Sequence, residues 1–322
     1  DSVASRGLGD VYKRQVFMRP IAEAYKDFPI LHKEHNGHRV IYLDSGATAQ
    51  IPQSVIDRVV EHMTQRNGNP HRGSHILAIE ASEDYENARD RVVEFINARE
   101  REEVIFTRNS TESMNLIAHS YGLHNVKKGD KIVITVAEHH ANLVTWQYVA
   151  EQTGATLEYM YLDEHGHLKD GEINKIDEKT KIVAFAHVSN VLGMEFPVKE
   201  LTEKAHSVGA IVVLDGAQST PHKKIDVQAL DCDFFVFSGH KMCASQGIGV
   251  LYGKRDLLET MPPFLLGGDM IEYVKEQTAT FNELPYKFEA GTPNADGAVS
   301  LHAAIDLSLI HISEPTRRYA IS

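Results

Sequence analysis

Seven short runs rich in apolar, β-branched or aromatic residues punctuate the chain, at 104–106, 131–136, 156–161, 181–187, 210–214, 233–237 and 248–252. Stretches with helical apolar spacing lie between them, and polar or glycine-bearing turns bound them. Strands alternating with helices predict an α/β fold: a mostly parallel sheet with helices on both faces and ligands at the strands' C-terminal ends. Upstream, apolar residues recur at helical spacing from Ile76 to Ile96, predicting a long amphipathic helix with a charged solvent face. A shorter helix is predicted from Ser54, read as its N-cap, through Val55, Val59, Val60 and Met63. Val40 to Leu43 reads as a first strand, and the small residues of Asp44 to Gln50 as a flexible loop that lets a substrate approach.

The chemistry concentrates where strand-like runs stop. Asp233 to Phe237 drives into Ser238-Gly239-His240-Lys241, which sets a lysine at the mouth of the sheet. A lysine whose stem packs on apolar neighbours has a depressed pKa and acts as an amine nucleophile, the group that forms Schiff bases. Ser238 and His240 beside it suit a phosphate, so an aldehyde cofactor carrying one, pyridoxal 5'-phosphate, is expected. The strand at Ala210 to Leu214 ends in Asp215, placed to pair with a pyridinium nitrogen, and Gln218 follows to reach the ring's phenolic oxygen. Thr107 to Glu112 opens a helix after a strand, so its amides with Ser110 and Thr111 form a phosphate cradle. His139, after the strand ending at Val136, is placed to stack on the ring. His71 and His75 are four apart, but Gly73 and Ser74 between them argue against the helix that a metal site would need, and no metal is expected.

Composition narrows the setting. The 322 residues suit one large domain plus a smaller piece, and the net charge of -12 disfavours nonspecific nucleic-acid binding. No apolar stretch reaches membrane-spanning length. Two cysteines, Cys232 and Cys243, exclude a disulfide framework and a cysteine-based zinc site, and a reducing, cytoplasmic setting is expected.

The order of phosphate loop, stacking histidine, Asp-x-x-Gln and Ser-x-His-Lys closely resembles fold-type I pyridoxal-phosphate enzymes of the class V aminotransferase group. Within that group the chain is similar to the SufS-type cysteine desulfurases and selenocysteine lyases. Phrases carrying the resemblance include His71-Arg72-Gly73, Phe95 to Arg99, Glu138 to Asn142, His187 to Gly193, Val227 to Asp233 and Phe288 to Asn294. The resemblance implies Lys241 as the Schiff-base lysine and catalytic base, His139 as a stacking and proton-relaying group, and Asn190 as a substrate-orienting residue. It implies a phosphate site of Ser110, Thr111, Ser238 and His240. His71 and Arg72 are implied near an active site, and Thr292 across the interface of a homodimer. The implied reaction converts L-cysteine, or selenocysteine, and hands sulfur to an acceptor protein for iron-sulfur cluster assembly. Two other readings stay open: another class V enzyme, such as an aminotransferase or kynureninase-like lyase, or a catalytically silent cofactor-binding fragment.

In the family so resembled, the sulfur-accepting cysteine and the carboxylate-binding arginine lie in a C-terminal segment, and the small C-terminal domain is expected to be missing here. Cys232 reads as structural, and Cys243 stands where the chain departs from the usual pattern after the lysine. The tails carry a signature of their own. With suitable codons for Ser5 to Gln15, the reverse complement encodes Leu307 to Arg317 residue for residue. That symmetry resembles a transposase-type sequencing adaptor, so 1–15 and 307–322 are expected to be adaptor translation, 16–36 an N-terminal arm and 37–306 the cofactor-binding large domain.

Overall fold

The protein is described here by a computed structural model covering residues 21–312. The adaptor reading of 1–15 and 313–322, and the first part of the arm, lie outside the described residues. Residues 307–312 continue the last helix.

The arm folds as two 3₁₀ turns, Ile21–Asp27 and Pro29–His32, and a two-residue hairpin, β1 (Glu34–His35) with β2 (His38–Arg39). The strand expected at 40–43 does not form. Extended backbone needs a neighbour to satisfy its amides; the Val40 amide donates to Lys33 O at 3.0 Å, but no strand pairs with the segment among the described residues, and Ile41 and Leu43 are 77% and 91% exposed. The Tyr42 hydroxyl instead donates to Thr48 O at 2.7 Å and braces the loop that follows. Helix α1 spans Gln53–Gln65, with Pro52 rather than Ser54 at its N-cap, because the proline's extended backbone (ψ 157°) delivers the chain into the first turn. Helix α2 spans Ile76–Ile96, as its periodicity predicts.

The centre is a seven-stranded sheet of β3 (Val104–Thr107), β4 (Lys131–Thr135), β5 (Thr156–Met160), β6 (Thr180–Ala186), β7 (Ile211–Asp215), β8 (Phe234–Ser238) and β9 (Gly249–Gly253). Its order is β3-β9-β8-β7-β6-β4-β5. Strands β5, β4, β6, β7 and β8 run parallel, and β9 is antiparallel to both its neighbours. A separate hairpin, β10 (Ile271–Val274) with β11 (Ala279–Phe281), stands on the surface.

Side chains of successive strand residues enter opposite cores. Val133, Val183, Val212, Leu214, Phe235 and Phe237 face one core, where Tyr85, Val92 and Ile96 of α2 pack with Leu201 of α5 (Val198–Ser207) and Leu301 of α6 (Ala295–Ile312). Ile132, Ile134, Ile182, Val213, Phe234 and Val236 face the other, under Met114 and Ile117 of α3 (Ser110–Ile117) and Trp146 and Val149 of α4 (His140–Thr153). Both faces of the inner strands are covered, so their middles are apolar, each large side chain contributing about 2 kcal/mol by leaving water, while the edge strand β5 stays partly exposed and carries Glu158.

One ion pair crosses this apolar body. Arg89, fully buried, donates from Nη1 and Nη2 to the two Glu289 oxygens at 2.7 and 2.8 Å. The Phe106 amide and the Tyr85 hydroxyl also donate to Glu289, at 2.6 and 2.9 Å. The carboxylate thus closes the outer edge of β3 and tethers the loop carrying Gly291, Thr292 and Asn294. Replacing Glu289 with Ala strips the buried guanidinium of its bidentate partner, leaving it Glu86 Oε2 at 3.0 Å and Val104 O at 2.8 Å, and the expected loss is about 3 kcal/mol, measured by equilibrium denaturation. A loss below about 1 kcal/mol would show that the pair is dispensable.

Candidate functional site

Along the carboxyl edge of the parallel strands lies a cavity of about 850 Å³. Nine of the residues singled out from sequence line it: Ser110, Thr111, His139, Asn190, Asp215, Gln218, Ser238, His240 and Lys241. Register explains the convergence. Ala186, the last residue of β6, pairs with Asp215, the last of β7, and the Ser238 that ends β8 pairs with Gly249 at the start of β9. Gly249 also pairs with Thr107, just before the loop into α3. A Cβ on Gly249 would lie 2.5 Å from Asn109 Cα, so only glycine lets that loop settle between the strands. The Asn109 side chain caps α3 by accepting from the Glu112 amide at 3.0 Å. Ser238 Oγ accepts from the Ser110 amide at 2.9 Å and lies 2.7 Å from Ser110 Oγ, bringing two hydroxyls to the helix start. Helix amides and hydroxyls are the donor set a phosphate requires.

Asp215 is buried, and its Oδ1 accepts from the Ala217 amide at 2.9 Å. It has no salt-bridge partner among the described residues. Burial raises its pKa, opposed by the Ala217 amide and by the charges of Lys241 and His139. Such a carboxylate fits a cationic ring nitrogen. Gly216 keeps the turn beyond it tight, since a Cβ there would strike the Phe235 ring at 2.0 Å. Burial lowers the Lys241 pKa, and Asp215 partly opposes the shift. His139 is also lowered, first by burial and then by Lys241 and His140 against the pull of Asp215, while its Nδ1 accepts from the Ala141 amide at 3.1 Å. His240 is lowered by burial and by Lys241. These groups fit pyridoxal phosphate in donor chemistry, in charge and in their order along the strand ends.

The loop at Asp44 to Gln50 contributes Asp44, Gly46 and Ala47 to the wall. Its anchors are residues read from sequence as cofactor ligands: Gln218 Nε2 donates to Gly46 O at 2.9 Å, His240 Nδ1 lies 3.1 Å from Thr48 Oγ1, and His240 O accepts from the Ala49 amide at 2.9 Å. Gln246 and Gly247 close another side, held by Asn294 Nδ2 donating to Gly247 O at 2.7 Å. The loop at 44–50 reads from sequence as a substrate approach, whereas Gln246 and Gly247 are not singled out there, because their place at the rim depends on contacts between distant loops.

Three predicted residues lie outside the cavity. His71 Nε2 is 3.1 Å from Glu86 Oε1, and the ring packs against Tyr85 and Tyr286; Arg72 is paired with Asp269, and Thr292 is exposed. No cluster of metal-ligating side chains occurs among the described residues, and no helix among them is long and apolar enough to cross a membrane.

Fold and site together define an α/β enzyme of the aminotransferase type, and the chain belongs to the class V aminotransferase family, whose profile matches residues 41–318. Among curated proteins it is 54% identical over 285 residues to a probable cysteine desulfurase of Halalkalibacterium halodurans, covering 88% of this chain and 70% of that one. It is 49% identical over 295 residues to the cysteine desulfurase of Haloferax volcanii, covering 87% and 69%. Among solved structures, the apo cysteine desulfurase of Thermococcus onnurineus superposes with a TM-score of 0.85 at 41% identity, over 91% of this chain and 71% of that one. The Escherichia coli cysteine desulfurase CsdA gives 0.82 at 39%, over 92% and 73%.

The electrostatics of Lys241 carry a sign that can be measured. Because burial disfavours its charged form, its free amine is expected to appear below the ordinary lysine value of about 10.4. Asp215 opposes that shift, so Asp215→Asn is expected to lower the midpoint further. Labelling with an amine reagent across pH, read at the Lys241 peptide by mass spectrometry, checks both. A midpoint that rises in the variant contradicts the assignment.

Proposed function

We propose that the chain forms the cofactor-binding body of a pyridoxal 5'-phosphate-dependent cysteine desulfurase, converting L-cysteine to L-alanine and passing sulfur to an acceptor. The observation that carries this reading is a desolvated lysine and a desolvated, unpaired aspartate facing one cavity, in a chain about half identical to cysteine desulfurases.

Ser110, Thr111, Ser238 and His240 would hold the phosphate, Gln218 the ring hydroxyl, and Asp215 the ring nitrogen. When bound, the cofactor supplies an electron sink conjugated to the substrate Cα. Lys241 would hold the cofactor covalently through Nζ, and the same amine, free, would be the base that takes the substrate Cα proton. His139, on the cavity wall, would stack on the ring and carry a proton between substrate and solvent. Asn190 orients the substrate at the mouth. His71, Arg72 and Thr292 lie outside this cavity, which suits a homodimer in which they serve the neighbouring subunit's site.

The sulfur needs a thiolate to receive it. Cys232 is fully buried and burial pushes its thiol far up; Cys243, half-buried, is pushed up as well. Neither suits the task, so the acceptor thiol is supplied by other residues or by a partner protein. Iron-sulfur cluster assembly in the cytoplasm is the setting this chemistry serves.

The test is to supply the protein with pyridoxal phosphate and record its visible spectrum, then to add L-cysteine with a small thiol and measure alanine and sulfide. A visible band absent from Lys241→Ala, and alanine formation reduced about 100-fold in Asp215→Asn, are expected. Keto-acid product without sulfide would favour an aminotransferase instead. Absence of a lysine-dependent band in folded protein would remove the enzyme assignment.

A further inference from the structure

Beneath the cavity floor, one residue before His139, a carboxyl group takes no part in the roles above. Glu138 is buried, and both its oxygens are engaged: Oε1 is 2.5 Å from Thr135 Oγ1, and Oε2 accepts from Asn142 Nδ2 at 2.6 Å. Asn142, itself fully buried, turns its Oδ1 to the Trp146 Nε1–H at 2.8 Å. The Ala186 amide, at the end of β6, also bonds to Glu138. The carboxyl thus joins three elements: the end of β4 through Thr135, the first turn of α4 through Asn142, and the end of β6 through Ala186. Ala186 lines the cavity and pairs in register with Asp215.

We propose that Glu138 is a positioning residue for this site, its carboxyl clamping the turn that carries His139 against the strand end beside Asp215. The assignment rests on the functional reading above and adds to it a residue that touches neither substrate nor cofactor.

Two considerations support a clamp in the form of a neutral acid. Burial pushes the Glu138 pKa up to about 8; bonds from Thr135 and Asn142 oppose the rise, and the charge of Asp215 adds to it. Two carboxylates in one desolvated corner repel, so holding a proton on Glu138 leaves the negative charge on Asp215, where a cationic ring would use it. Glutamine reproduces the neutral acid's bonding. Its Oε1 accepts from Asn142 and Ala186, and its amide donates to Thr135 Oγ1 once that hydroxyl, which donates to the carboxylate form, turns its own proton away, as it must for the neutral acid too.

The experiment compares Glu138→Ala and Glu138→Gln with the unaltered protein by two independent readouts. The first is the imidazole titration of His139, followed by NMR without added cofactor. The second is pyridoxal phosphate affinity, from the visible band. Glu138→Ala is expected to free the turn, moving the His139 midpoint upward by about half a pH unit as the ring gains solvent, and weakening cofactor binding about 10-fold. Glu138→Gln is expected to restore both to within about twofold of the unaltered protein. If Glu138→Ala leaves both unchanged, the clamp is refuted. If Glu138→Gln is as damaged as Glu138→Ala, a charged carboxylate is needed and the neutral clamp is refuted. If the His139 midpoint responds as expected while no lysine-dependent band forms, the positioning role stands and the cofactor assignment is what fails.

Discussion

The molecule is organised by the demand that a seven-stranded sheet be buried on both faces. Strands covered by helices above and below have no solvated side on which to carry polar chemistry. Phe234, Phe235, Val236 and Phe237 are all fully enclosed before Ser238 meets the cavity. Polar groups that must meet a ligand are therefore displaced to the strand ends, where the backbone turns out of the sheet. Asp215, Ser238, His139 and the loop before Ser110 all stand there, and the parallel sense of β4, β6, β7 and β8 brings three of them to the same edge.

That placement also sets their electrostatics. Groups at the rim of an apolar slab are partly desolvated, which lowers Lys241 and His139 and raises Asp215. The same environment favours the amine form of the lysine as nucleophile and leaves the aspartate in need of a cation. The cost of burying charge is met by structure elsewhere: Arg89 and Glu289 are held bidentately, with further donors from Phe106 and Tyr85. Their pairing places the loop bearing Thr292 and Asn294, and Asn294 in turn holds Gly247 at the cavity wall.

The local code was read correctly where it is strong and misread where tertiary contact decides. The seven strands are legible as apolar runs, since burial on both faces removes polar residues from the inner ones, while β5 at the edge keeps Thr156 and Glu158. The segment 40–43 carries the same propensity but meets no partner strand, and Ser54 yields the N-cap to a proline whose backbone was already extended. Gln218 and His240 were assigned to the ligand alone, yet each also ties down the loop at 44–50, contacts spanning 172 and 192 positions in sequence. Glu138 was visible only as part of a phrase, because nothing local distinguishes a buried carboxyl from a solvated one.

Residue chemistry and strand punctuation thus determine by themselves the α/β class, the candidate lysine, aspartate and phosphate-loop groups, and the edge of the sheet where they gather. These properties follow from short-range patterning, in which apolar runs end in reactive residues. The convergence of nine side chains on one cavity, the depressed lysine, the clamp at Glu138 and the exclusion of His71, Arg72 and Thr292 from this chain's cavity were decided by tertiary structure. Desolvation and long-range register depend on which distant segments enclose a group, and no local pattern specifies that.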